Sequence, residues 1–113
     1  MTRSHVTTHI LDTGAGRPAA GVAVSLWSAG GDGWDRVAEG TTDADGRVSS
    51  LGPEQLTPGT YRIDFATGDY FAATGTETFF PSVSLTFALT DAAQHYHVPL
   101  LLSPFAYSTY RGS

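Results

Sequence analysis

His95-Tyr-His-Val-Pro-Leu-Leu-Leu-Ser-Pro-Phe-Ala-Tyr-Ser-Thr-Tyr-Arg-Gly-Ser113 reads as two strand-like runs split by Ser103-Pro104. Successive side chains of a strand point to opposite sides, so Tyr96, Val98, Leu100 and Leu102 share one face of the first run. His95, His97, Pro99 and Leu101 share the other. Chain ends usually carry little pattern, yet this one stays apolar and aromatic through Tyr110. An apolar row backed by two histidines describes a sheet strand with a core face and a working face.

The same period recurs upstream. Val6, Thr8 and Ile10 alternate with His5, Thr7, His9 and Leu11 in a first strand over 6–12. Gly14-Ala-Gly-Arg-Pro18 then reads as a loop, and 21–27 as a second strand with Val22, Val24 and Leu26 inward. Gly30-Gly-Asp-Gly33 is a hairpin signal leading to a third strand over 34–39. Asp43-Ala-Asp-Gly46 turns the chain into Arg47 and Val48. Strands are expected over 60–66 and 83–89, and one short helix over 69–74 stopped by Gly75. Residues 95–102 and 105–110 complete the set. About eight short strands with regular turns predict an all-β, antiparallel β-sandwich with one short helix.

Composition agrees. The 113 residues form one domain, 1–113, and a hydrophobic share of 41% with 12% aromatics is enough to build a core. Thirteen glycines and six prolines suit short strands better than a helix bundle. Only six basic residues and a formal charge of −5 argue against a nucleic-acid or anionic-membrane partner. Cysteine is absent, which removes disulfides, thiolate catalysis and Cys-ligated zinc. No signal-peptide pattern or membrane-length apolar run is present, so a soluble, cytoplasmic protein is expected.

The candidate chemistry lies with the histidines. His5 and His9 share a face of one strand, and His95 and His97 a face of another. His5 and His95 read as surface or hydrogen-bonded imidazoles. His9 and His97 lie opposite apolar rows in a chain short of other reactive groups, and imidazole is the natural base near neutral pH. Arg47, at a turn's exit, reads most simply as a solvated arginine; as a functional residue it could bind an anion or stabilise an oxyanion. Asp43-x-Asp45-Gly46 is not a calcium loop, because Arg47 and Val48 stand where an oxygen ligand and a glycine are needed. No carboxylate spacing supports a zinc site, no Gly-x-Ser-x-Gly elbow occurs, and the glycine pairs lack a phosphate loop's context. Neither metal nor cofactor is expected.

Three blocks carry a family resemblance: Thr8-His-Ile-Leu-Asp-Thr-Gly-x-Gly-Arg-Pro-Ala19, Thr42-Asp-x-Asp-Gly-Arg-Val48, and the residues from His95 to Ser113. Together they resemble the transthyretin-like 5-hydroxyisourate hydrolases of urate (purine) degradation, over essentially the whole chain. The terminal Tyr-Arg-Gly-Ser is similar to the tail that separates these hydrolases from the hormone-carrying transthyretins. Ala106 departs from the family, standing where glycine is common.

The resemblance implies a transthyretin (prealbumin)-like sandwich and a homotetramer, a dimer of dimers, with active sites in a shared channel. The family's catalytic positions fall on His9, Arg47, His97 and Ser113, and Tyr110, Arg111 and Gly112 complete a substrate-binding tail. The implied reaction opens the six-membered ring of 5-hydroxyisourate, giving 2-oxo-4-hydroxy-4-carboxy-5-ureidoimidazoline. His9 and His97 would activate the water, and Arg47 would stabilise the oxyanion. Ser113 would act through its hydroxyl or its terminal carboxylate, so a C-terminal extension is expected to damage activity. The alternatives are a transthyretin-type carrier of an aromatic small molecule and a generic adhesion or carbohydrate-binding sandwich.

Overall fold

The computed structural model describes residues 3–112, so Ser113 lies outside the described residues. In chain order the elements are β1 (Val6–Asp12), β2 (Arg17–Pro18), β3 (Ala23–Gly30), β4 (Gly33–Thr41), β5 (Arg47–Val48), β6 (Gly59–Phe65), α1 (Thr67–Ala73), β7 (Val83–Leu89), β8 (Tyr96–Ser103) and β9 (Ala106–Thr109). They form two sheets. One runs β4-β3-β6-β7; the other runs β2-β1-β8-β9, with β5 also pairing with β1.

The apolar rows face each other between the sheets. Val6 and Ile10 of β1 and Tyr96, Val98, Leu100 and Leu102 of β8 meet Val24, Leu26, Ile63, Phe65, Val83 and Leu89 of the opposite sheet, all buried. Each such side chain contributes about 1.5–3 kcal/mol when removed from water, so the core holds the pleat of β1 and β8 in register. Their outer rows, which carry the histidines, are fixed by the same packing. β1 and β8 run parallel, whereas the other described strand pairs are antiparallel. Strands from opposite ends of a chain share no hairpin, so nothing local forces an antiparallel pairing.

Two local departures from expectation have simple causes. Arg17 and Pro18, read as loop, pair with Asp12 and Leu11 as a two-residue edge strand. A strand that short leaves no alternation to detect. The helix starts at Thr67 rather than 69. Its end is as expected: Gly75 takes φ 67°, its N–H donates to Ala72 O, and the Thr76 N–H donates to Phe71 O, the pairing of a Schellman stop. The hairpin glycines Gly30 and Gly33 pair across a two-residue turn. The helix is tied to the site-bearing sheet by Tyr70, whose hydroxyl donates to the buried Asp12 carboxylate at 2.7 Å. Burial, then that carboxylate, pushes the Tyr70 pKa up to about 12.

Candidate active site

Register on β1 assembles the site. Thr7 lies opposite His97 and His9 opposite Pro99 across the parallel β8, while His9 also lies opposite Arg47 across β5. Paired residues share a sheet face. His97, Thr7, His9 and Arg47 therefore form one outward cluster although they span most of the chain.

Arg47 reaches this place through its turn. Asp43 Oδ1 accepts the N–H groups of Asp45 (2.9 Å) and Arg47 (3.0 Å). These bonds, the Arg47 one first, hold the Asp43 carboxyl below the usual range. Gly46 takes φ 74°, and a β-carbon there would come 2.5 Å from the Ile10 carbonyl oxygen. Only glycine lets the chain pass so close in that conformation.

His97 is clamped along both edges of its ring. On one edge Nδ1 is 2.8 Å from the Thr7 hydroxyl. On the other lies Gly112, where a β-carbon would sit 2.6 Å from Cδ2, and whose N–H donates to the His97 carbonyl at 2.8 Å. Nε2 is left at the free tip, with no hydrogen-bond partner among the described residues. Beside the ring is a pocket of about 220 Å³ lined by Arg3, Thr7, Arg47, Val48, Ser49 and His97. Burial first, then the charges of Arg47, His9 and Arg3, hold His97 below the ordinary value of 6.5, partly offset by the Thr7 main chain. His95 is likewise lowered by burial, then by Arg3, His97 and His5. The arrangement supplies a neutral imidazole beside guanidinium groups, which can take a proton from water and stabilise the resulting anionic oxygen.

The other expected residues are placed as follows. His9 is half-buried on the cluster's face. Continuing the His97–Gly112 bridge and the Leu100–Thr109 pair sets Tyr110 across from Pro99 and Arg111 across from Val98. Tyr110 is exposed and lines a groove of about 370 Å³ that also touches His97 and Phe87. Arg111 is not brought to the histidine face: its guanidinium stacks 4.4 Å from the Tyr96 ring centroid and donates to Gln94 Oε1 at 2.8 Å. His5 is buried and structural, accepting the Leu56 N–H at Nδ1 and donating from Nε2 to the Gln94 carbonyl. Sequence reasoning missed Thr7 and Arg3. Neither belongs to a recognisable motif, and Thr7 becomes visible only once β1 is known to pair with β8. A larger hollow of about 690 Å³ on the other sheet is lined by Trp27, Arg36 and Asp64 but no histidine, so the smaller pocket is the candidate site.

A profile of the HIUase/Transthyretin family matches residues 6–112. The chain belongs to that family. It is similar to the 5-hydroxyisourate hydrolase of Salmonella dublin, 48% identical over 109 residues that span 96% of this chain and 80% of the relative. The solved Klebsiella pneumoniae 5-hydroxyisourate hydrolase superposes with a TM-score of 0.85 at 38% identity, covering 96% of this chain and 98% of that one. Sea bream transthyretin in complex with thyroxine superposes with a TM-score of 0.89 at 35% identity, covering 95% and 93%. The fold is thus the transthyretin-like sandwich. Fold likeness alone does not separate hydrolase from carrier, because both share it; the residues of the site must.

Proposed function

We propose that this member of the HIUase/Transthyretin family hydrolyses 5-hydroxyisourate in urate degradation. It is an enzyme of the hydrolase class, as its 48%-identical relative is named. The observation that carries the assignment is His97: its ring is held on both edges, its Nε2 has no partner among the described residues, and it lines a pocket together with Arg47. Water held by His9 and His97 gives up a proton to imidazole and attacks the ring carbonyl. Arg47 stabilises the tetrahedral oxyanion, a role worth roughly 3 kcal/mol in comparable sites. Collapse breaks the C–N bond as the leaving nitrogen takes a proton from imidazolium, leaving a carboxylate product. Ser113 and Tyr110 would border the substrate. Arg111 and Gly112 act through the tail, Arg111 by pinning it to Tyr96 and Gly112 by backing the His97 ring.

The histidine face also carries the half-buried Leu11 and Leu101, an apolar fringe that suits a symmetric partner. A homotetramer with sites in a shared channel fits this face. The carrier reading has the thyroxine-bound sea bream structure behind it. A carrier needs no free imidazole nitrogen beside a guanidinium, so its ligand binding would be indifferent to His97.

The deciding assay follows the absorbance of freshly made 5-hydroxyisourate with and without the protein. Disappearance well above the spontaneous rate is expected. Replacing His9 or His97 with Asn is expected to lower turnover by at least about a hundredfold with the fold intact by circular dichroism. Near-normal turnover in both variants would overturn the assignment of the base.

A further inference from the structure

We propose that Thr7 is a positioning residue that locks the tautomer of His97 and joins it to His95 as one proton-sharing unit. The inference rests on the hydrolase reading for its catalytic consequence, though not for its geometry. The Thr7 hydroxyl is 2.8 Å from His97 Nδ1 and 2.9 Å from His95 Nε2. Thr7 is only 4% exposed, and its hydroxyl already has these two ring partners.

A hydroxyl has one proton to donate. Thr7 must therefore donate to one ring and accept from the other. If His97 carries its proton on Nδ1, it donates to Thr7; Thr7 then donates to His95 Nε2, so His95 also carries its proton on Nδ1. The reverse arrangement places both protons on Nε2. A mixed pair would set two donors or two lone pairs against the same oxygen and leave a buried polar group unsatisfied. The two rings are thus bound to the same tautomer. Only the Nδ1–H arrangement leaves a lone pair on His97 Nε2, the form a general base requires.

The same chain of bonds gives the incoming proton a place to go. Water transfers a proton to His97 Nε2. The His97 Nδ1 proton then moves to Thr7 as the hydroxyl's own proton passes to His95 Nε2. Positive charge is thereby shared with His95 while His97 keeps its N–H at Nε2. As the leaving nitrogen takes that Nε2 proton the two inner protons return in the same step, so His97 donates as an imidazolium and both rings end as Nδ1–H. One proton enters and one leaves in each cycle.

The test combines nitrogen-15 NMR of the imidazoles with kinetics. In the wild-type protein above pH 7, neutral His95 and His97 are expected to carry protons on Nδ1. His5, whose bonds fix the opposite tautomer, serves as the internal reference. Thr7→Val is expected to lower kcat by about tenfold or more with KM changed less than about twofold, and to release His97 from its single tautomer. Thr7→Ser is expected to restore both. Opposite tautomers on His95 and His97, or wild-type kcat in Thr7→Val, would refute the proposal. If no hydrolysis of 5-hydroxyisourate is seen at all, the functional reading fails while the ring spectra still judge the lock. Should Thr7→Val not fold, the wild-type spectra decide alone.

Discussion

At the residue scale the proposed mechanism requires His97 to be uncharged at working pH. Its folded pKa lies below 6.5, first through burial and then through Arg47. The acid limb of kcat/KM is therefore expected below pH 6.5, since that profile reports the free enzyme's base. Arg47→Met should slow the reaction and also move the limb upward toward 6.5; an unmoved limb would assign the lowering to burial alone. The sign for stability follows from the same shift. Because His95 and His97 are harder to protonate folded than unfolded, the unfolded chain takes up more protons as pH falls through 6.5. The fold is then fully stable above that value and loses stability below it. Of these groups His9 and His97 stand out in the sequence as histidines on patterned strands, whereas Arg47 is marked only by the family resemblance, since an arginine after a turn says little by itself. Thr7 could not be singled out, since an alternating threonine is an ordinary strand residue.

At the element scale β5 is only two residues long, so its turn must do what a longer ladder would otherwise do. Gly46→Ala forces an L residue into φ 74° and drives its β-carbon against the Ile10 carbonyl. It is expected to cost about 2 kcal/mol or more in urea unfolding. Turnover measured on the remaining folded protein should fall as well, because the register that sets Arg47 opposite His9 is disturbed. Most of the architecture was legible because its signals are local. β1 and β7 match their expected spans, and Gly30-Gly-Asp-Gly33 and Gly75 act as turn and stop. The parallel pairing of β1 with β8 was not legible, nor was the strand character of Arg17 and Pro18. The first is a long-range choice made by packing, and the second is too short to carry a period. The direction of the Arg111 side chain was hidden for the same reason: it depends on Tyr96, which the tail motif does not contain.

At the scale of the whole molecule, a single protomer leaves His9, His97, Leu11 and Leu101 only half-buried. Sedimentation at micromolar concentration is expected to show a four-chain species. Leu101→Glu, at the apolar fringe, should shift it toward smaller species and reduce turnover, whereas an exposed site on the far sheet such as Glu39→Gln should change neither. Assembly and folding are further linked by connectivity. Thr7 and His97 are separated by 90 positions, and β1 can meet β8 only after nearly the whole chain has been gathered. Contacts of such sequence separation close late and slowly, because loop entropy opposes them until the rest of the core is in place. Catalytic power should therefore appear abruptly during refolding, with the last cooperative step, and no fragment lacking either end of the chain should show any.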